Sequence, residues 1–231
     1  MRNWVGEAQE YLFERYKRAC VVLDGNPQPP PLAMVPNLDP TEARCFIEGL
    51  ERALFSVDDE GYVQSPLLPP PSGQNTKQKM LQLFWKKADG RGVFREGICQ
   101  LATVSSLIID KGWKVEQIVM EPGKREFRDL AYAVDILIRP SREDRVICGE
   151  VKKDAAEFQQ LVDGFKACCL RGAHSKAECT HAKNHAKYAF CAEIKPPAFF
   201  AAAPGKALCF SLVYDPVLRI DTESATLSQR V

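Results

Sequence analysis

Two apolar runs separated by a short polar turn decide the fold of this chain: AYAVDILIRPSREDRVICGEVKK, residues 131–153. Asp135 interrupts the first run, and Glu150 and Lys152 lie near the end of the second. Both runs contain several β-branched residues, and the polar segment 140–144 between them begins with proline, a pattern typical of two strands joined by a turn. Because side chains alternate along a strand, Glu150 and Lys152 lie on the same face.

A hairpin formed by these runs would place Asp135 beside Glu150. Two neighbouring carboxylates repel each other unless a divalent cation lies between them. Asp135 also interrupts an apolar stretch, where an unpaired carboxylate would be costly to bury. An ammonium group at Lys152 could then orient or activate a water molecule next to the ion. The pattern therefore predicts a metal site, and the competing interpretation is the solvated side of an ordinary sheet.

The combination of Asp135 with Glu150-Val-Lys152 resembles the active site of the PD-(D/E)xK nuclease superfamily, the restriction-endonuclease-like phosphodiesterases. The resemblance covers about residues 94–214. It implies an α/β fold in which a restriction-endonuclease-like core, a central mixed β-sheet, is flanked by helices. Val134 stands where the name-giving pattern of the superfamily has proline, so the chain departs from that pattern at one position.

The resemblance also implies roles for individual residues. Asp135 and Glu150 would bind Mg²⁺ or Mn²⁺, with the main-chain carbonyl of Val151 as a further oxygen ligand, and Lys152 would orient or activate the attacking water. Many members of the superfamily carry another acid on the first core helix. Here Glu96 or Gln100 could reach the metal from that helix, and Glu96 is favoured because it is charged; a solvated helix face is the alternative.

Contacts to a nucleic-acid backbone are expected from Lys153, Gln159, Lys124 and Arg125, although each of these could simply face water. The expected activity is divalent-metal-dependent hydrolysis of phosphodiester bonds in DNA, in defence or DNA processing. A homodimer, or a protein partner bound through the N-terminal helices, is compatible with this activity. Two alternatives stay open: an inactive nuclease-fold module that binds nucleic acid or protein, and an unrelated α/β domain with a structural zinc.

Composition limits the class of protein without naming it. The 231 residues are 45% hydrophobic and 26% charged, which is ordinary for a globular domain. A net charge of +1 argues against a protein that coats DNA mainly by electrostatics. There is no membrane-length apolar run and no apolar signal segment near the N-terminus, so we expect a cytoplasmic protein without membrane contact whose nine cysteines are reduced.

The first third of the chain predicts a helical N-terminal appendage with proline-rich linkers, residues 1–75, followed by the nuclease-like domain at 76–220 and a loose tail at 221–231. One helix is expected over residues 3–22, and a second begins at Asp39, where Pro40 and Glu42 complete a capping pattern. Periodicity assigns the remaining elements: helices at 77–88, 94–110, 154–170 and 176–190, and strands at 113–120, 198–201 and 207–214.

Cysteine and histidine are concentrated in residues 168–191, which contain all three histidines and four cysteines. The segment has no Cys-x-x-Cys pair and none of the usual zinc-finger spacings. Cys168 and Cys169 continue the apolar stripe of their predicted helix, where a buried free cysteine is common. The spacing therefore argues against a structural zinc or iron–sulfur site, although His181 and His185 share a helix face.

Overall fold

The computed structural model describes residues 2–26, 35, 38–69, 81–87, 90–122, 134–140 and 146–224. Within these ranges the chain is a mixed α/β structure with the α-helices α1 (Trp4–Asp24), α2 (Pro40–Glu51), α3 (Arg95–Ile109), α4 (Ala155–Arg171) and α5 (His185–Ile194). The strands are β1 (Ser56–Val57), β2 (Val63–Gln64), β3 (Phe84–Lys87), β4 (Gly90–Val93), β5 (Ile118–Met120), β6 (Ile136–Ile138), β7 (Ile147–Val151), β8 (Ala198–Ala203), β9 (Lys206–Tyr214) and β10 (Leu218–Ser224). No helix of the described residues combines the length and apolarity needed to cross a membrane.

Six strands form the central sheet in the order β10-β9-β8-β7-β6-β5. The predicted hairpin is confirmed, because β6 and β7 pair antiparallel with Ile136 opposite Gly149. β8 lies parallel to β7, and the other neighbours in the sheet are antiparallel. A parallel pair needs a long crossover, which α4 and α5 supply here. The sheet is therefore mixed, and β7 lies in its interior.

Both faces of the sheet are covered by helices, because strand residues alternate between two hydrophobic cores. The first core contains Val151 and Phe200 together with side chains of α1, α2 and α3. The second core contains Cys148 and Phe199 with side chains of α4 and α5. Glycine is required at position 149, because a Cβ atom there would lie 2.0 Å from the Phe200 ring. The strands that carry Asp135 and Glu150 are thus held between two helical layers.

The two helices predicted in the N-terminal third are confirmed as α1 and α2. Asp39 caps α2 by accepting from the N–H groups of Thr41 and Glu42, and the Glu42 side chain accepts from the Asp39 N–H. Phe46 of α2 is fully buried in the first core beside residues of α3. The two helices therefore share a hydrophobic core with the sheet, whereas the expected boundary near residue 75 lies outside the described ranges.

The prediction of a helix at 77–88 is wrong for the residues that the structure describes, because Phe84–Lys87 is a strand. It pairs antiparallel with Gly90–Val93, and Phe84 is opposite Val93. Leu83 exchanges backbone hydrogen bonds with Gly61 and Phe94, which ties the segment to residues distant in sequence. Apolar residues at Leu81, Phe84 and Trp85 fit helical spacing, but the glycines near residue 90 permit a tight turn and the tertiary backbone bonds favour the strand.

Smaller differences concern element boundaries. The strand predicted at 113–120 begins only at Ile118, after a 3₁₀ turn at Val115–Gln117. The helix predicted at 176–190 is a 3₁₀ turn at Lys176–Glu178 followed by α5 from His185. The tail expected to be loose from Asp221 is part of β10 as far as Ser224, paired with β9, and 225–231 lie outside the described residues. The helices predicted at 94–110 and 154–170 are confirmed as α3 and α4.

Candidate active site

Asp135, the residue before β6, is fixed by the neighbouring strand β7. Its N–H donates to the Gly149 carbonyl at 3.0 Å, and its Oδ2 accepts from the Val151 N–H at 2.7 Å. Both bonds follow from the antiparallel register of the hairpin. The Asp135 carboxylate is thereby held next to the end of β7, where Glu150 lies.

Three acidic side chains meet at this point: Glu96 from the first turn of α3, Asp135, and Glu150. One carboxylate oxygen of each lies within 4.8 Å of those of the other two. We call these three residues the carboxylate cluster. Glu150 is only 2% exposed, and among the described residues no group gives its buried Oε2 atom a hydrogen bond. The helix α3 and the hairpin thus bring these three side chains together, and Glu96 lies in the cluster.

Lys152 lies inside the carboxylate cluster and neutralises part of its charge. Its Nζ donates to Glu150 Oε1 at 2.8 Å and to Glu96 Oε1 at 2.9 Å. Burial favours the neutral amine, but the two carboxylates outweigh this effect and raise the pKa of Lys152 above its ordinary value. Lys152 is therefore an ammonium ion at neutral pH, suited to stabilising negative charge rather than to accepting a proton.

The pKa of Asp135 is also raised, but for a carboxyl this shift favours the neutral form. Burial raises the pKa of its carboxyl well above the ordinary value, and the neighbouring Glu150 and Glu121 raise it further. The hydrogen bond from Val151 and the charge of Lys152 oppose the shift without cancelling it. The residue keeps some exposed surface, although its carboxyl group is enclosed by protein atoms. The ionised form of Asp135 is therefore disfavoured while lysine side chains are the cations of the site.

These observations fit a divalent cation. Carboxylate oxygens are the ligands that Mg²⁺ and Mn²⁺ prefer, and Glu150 Oε2 is a buried acceptor for which the described part of the chain supplies no donor. A cation held by Asp135, Glu150 and Glu96 would relieve the repulsion that raises the Asp135 pKa. The proposed carbonyl ligand, Val151, contributes its N–H to Asp135, and the role of its carbonyl stays a prediction.

Two further charged residues belong to the site and carried no clear signal in the sequence. Lys187 of α5 places its Nζ 3.1 Å from Glu150 Oε1, and only the crossover of α5 over the sheet brings it there. Glu121 follows β5 with a positive φ of 47°, and its Oε1 accepts from Gln100 Nε2 at 2.8 Å. Burial raises the pKa of Glu121, and Glu150 and Glu96 add to that shift. In the sequence, Glu121 is marked only by its position after a predicted strand and before Pro122.

Gln100 and the residues predicted to contact nucleic acid occupy different environments. Gln100 lies one turn after Glu96 and positions Glu121 instead of joining the carboxylate cluster. Lys153 is exposed directly after Lys152 and forms an ion pair with Glu157. Gln159 is exposed on α4, where its amide donates to Asp163 at 2.8 Å. The predicted contacts of these residues with nucleic acid stay predictions, and Lys124 and Arg125 lie outside the described residues.

Replacing Lys187 with methionine should destabilise the protein mainly when no divalent cation is bound. The change leaves the buried Glu150 with Lys152 as its remaining cationic partner, at a cost of about 1–3 kcal/mol. Saturating Mg²⁺ should reduce that cost, because the cation would neutralise the same carboxylate. Urea unfolding in EDTA and in Mg²⁺ measures both values, with the exposed Lys183→Met as the control. An equal loss in both solutions would contradict a shared site for Lys187 and the cation.

Comparison with protein-family models, curated proteins and solved structures found no significant match.

Proposed function

We propose that the chain is a divalent-metal-dependent nuclease of the PD-(D/E)xK type that hydrolyses phosphodiester bonds in DNA. One observation carries the proposal: Glu96, Asp135 and Glu150 converge around the ammonium group of Lys152. A solvated sheet face would not need an acid from a separate helix, nor would it bury Glu150 to 2% exposure. Charged groups concentrated in a partly enclosed site with shifted pKa values are typical of active sites.

The order of elements supports the same assignment. From α3 onward the chain continues through β5, β6 and β7, then through the helices α4 and α5 to β8. Apart from the second helix, α5, this order resembles the helix, three-strand, helix, strand order expected of a restriction-endonuclease-like core. β7 ends next to the carboxylate cluster, and α4 begins three residues after Lys152, an arrangement that supports the proposed assignment.

Each residue of the site has a separate role in the proposed reaction. Asp135, Glu150 and Glu96 would hold Mg²⁺ or Mn²⁺, which when bound supplies Lewis-acid stabilisation of the charge developing on the phosphate. The Val151 N–H keeps the Asp135 carboxylate in one orientation. Lys152 orients the attacking water and donates to a phosphate oxygen as negative charge accumulates there. Its raised pKa keeps it protonated for that role.

Lysine side chains also lie at the site. Lys152 and Lys187 both approach Glu150, and Lys153, the residue after Lys152, is exposed. Phosphate groups of a nucleic-acid backbone are bound by lysine ammonium groups of this kind. We therefore propose that Lys153 contacts the nucleic-acid backbone next to the bond that is cut. Replacing Lys153 would then reduce cleavage without abolishing it.

The decisive experiment is a nuclease assay of the purified chain on supercoiled, linear and single-stranded DNA with Mg²⁺, Mn²⁺ or EDTA. We expect cleavage with either ion, none in EDTA, and none for Glu150→Gln, which keeps the size of the side chain. The control Glu193→Gln removes an exposed carboxylate of α5 and should cleave normally. Circular dichroism must show that both variants are folded. Equal cleavage by the two variants, or cleavage in EDTA, would contradict the proposal.

A further inference from the structure

The connection between α4 and α5, residues 172–184, folds back against the end of α4. Its regular structure is limited to the 3₁₀ turn at Lys176–Glu178. This connection carries His174 and Cys179, and the last turns of α4 carry Cys168. The two thiols and one ring nitrogen of His174 all lie within 4.8 Å of one another. We call these three residues the Cys-His cluster.

The separations in the Cys-His cluster match those of a metal site. The Sγ atoms of Cys168 and Cys179 are 3.4 Å apart, and both cysteines are free thiols. Zinc–sulfur bonds are about 2.3 Å long, so a tetrahedral site holds its ligand atoms roughly 3.4–3.8 Å apart. The two sulfur atoms would therefore need to move by only a few tenths of an ångström to share one ion.

The histidine is oriented as metal-binding histidines are. His174 Nδ1 lies 2.6 Å from the Gly172 carbonyl oxygen, to which it can only donate. This hydrogen bond leaves Nε2 as the acceptor nitrogen, and second groups of this kind commonly orient ligating histidines. Nε2 is buried and, within the described residues, has no hydrogen bond of good geometry, although the Cys179 thiol is close enough to interact with the ring electrostatically.

Neighbouring groups hold the other parts of the Cys-His cluster. The His181 N–H donates to Cys179 Sγ at 3.3 Å, an interaction that favours a thiolate ligand. His185, the first residue of α5, has its Nε2 3.0 Å from the His174 carbonyl oxygen. The His174 ring also packs against Tyr188, with ring centroids 5.1 Å apart. The cluster is thus connected to the first turns of α5, the helix that carries Lys187 to Glu150.

We propose that Cys168, His174 and Cys179 bind a zinc ion that fastens the 172–184 connection to α4. Two thiolates and an imidazole favour Zn²⁺ over Mg²⁺, and the carboxylate cluster has the opposite preference. Three protein ligands leave a fourth position for water or a small ligand. The sequence spacing argued against such a site because the ligands come from a helix end and an irregular loop, which form no recognised motif. The ion orders the loop that precedes α5.

Cobalt(II) spectroscopy on the full reduced chain tests the proposal. Co²⁺ occupies zinc sites and produces thiolate-to-cobalt charge-transfer absorption, which carboxylate ligands do not produce. We expect one equivalent of Co²⁺ to generate that absorption and Zn²⁺ to remove it. Cys179→Ser and His174→Ala should each weaken binding by about 100-fold or more, beyond the effect of losing a neighbouring group. Cys169→Ser is the matched control, since Cys169 adjoins Cys168 but lies outside the Cys-His cluster.

Two further measurements separate this site from the carboxylate cluster. The Asp135→Asn variant should keep the charge-transfer absorption, whereas it loses a ligand of the proposed catalytic ion. Hydrogen exchange of amides in 172–184 should slow by about tenfold or more when Zn²⁺ is added to the wild-type chain. The absence of thiolate absorption in the reduced wild-type chain would overturn the proposal, as would absorption that survives Cys179→Ser. A failed nuclease assay would leave these results unaffected.

Discussion

Asp135→Asn is expected to abolish metal-dependent cleavage and, at the same time, to stabilise the metal-free protein at pH 8. The carboxyl of Asp135 is enclosed beside Glu150 and Glu121, and burial with these charges raises its pKa well above the ordinary value. Asparagine keeps an acceptor for the Val151 N–H but carries no charge. The variant therefore loses a proposed metal ligand and also loses a source of repulsion.

The pH dependence of this gain has a definite sign. Because the folded-state pKa of Asp135 is raised, the protonated carboxyl supports folding below the ordinary value of about 3.9, and that support is lost as pH rises through the folded-state pKa. Wild type and variant should thus differ little in acid. At pH 8 the variant should be more stable by about 1–3 kcal/mol, the scale of an uncompensated buried polar group.

Urea unfolding in EDTA at pH 4 and pH 8, followed by the same series in Mg²⁺, measures this effect. Mg²⁺ should stabilise the wild type and have a smaller effect on Asp135→Asn. Asp221→Asn, which removes an exposed carboxylate on β10, is the control and should match the wild type in every solution. A variant that is less stable than the wild type at pH 8 in EDTA would show that the Asp135 charge is compensated in the folded protein.

Lys152→Met is expected to reduce cleavage by about 10²–10⁴-fold while leaving Mg²⁺ binding intact or tighter. The variant would lack the ammonium group that stabilises the negative charge developing on the phosphate. At the same time Glu96 and Glu150 would be freed from their bonds to Nζ at 2.9 and 2.8 Å, and both carboxylates would become more available to a cation. Separation of catalysis from metal binding is the distinctive expectation for this residue.

Calorimetric titration with Mg²⁺ and cleavage rates at saturating Mg²⁺ test the two parts separately. Lys153→Met is a matched control, because Lys153 is the next residue but is exposed and paired with Glu157. It should reduce cleavage only moderately through weaker contact with DNA. If a folded Lys152→Met protein lost Mg²⁺ binding, or cleaved at the wild-type rate, the proposed role of Lys152 would be wrong.

Much of the architecture follows from local patterns in the sequence. Two apolar runs joined by a polar segment that begins with proline predict the β6–β7 hairpin, and the observed pairing of Ile136 with Gly149 confirms it. Helical periodicity and the Asp39 capping box predict α1 to α4 within a few residues of their ends. These features depend on neighbours in the chain, since strand alternation and capping bonds involve residues only a few positions apart.

Local patterns failed where distant contacts decide between two conformations. Residues 84–87 have apolar spacing that suits a helix, but the backbone of Leu83 bonds to Gly61 and Phe94, and the segment becomes a strand. β10 likewise extends into a polar segment because β9 offers it a partner. Backbone hydrogen bonds to another part of the chain outweigh the small differences in intrinsic propensity.

The carboxylate cluster shows the same division. Asp135, Glu150 and Lys152 are recognisable in the sequence because two adjacent strands of one hairpin carry them. Glu121 and Lys187 reach the site only through the packing of β5 and α5 against that hairpin.

Cys168, His174 and Cys179 likewise meet only because an irregular loop folds back on α4. Side chains far apart in sequence have no fixed spacing, so the burial of the surrounding hydrophobic cores, and not any local pattern, determines which of them come into contact.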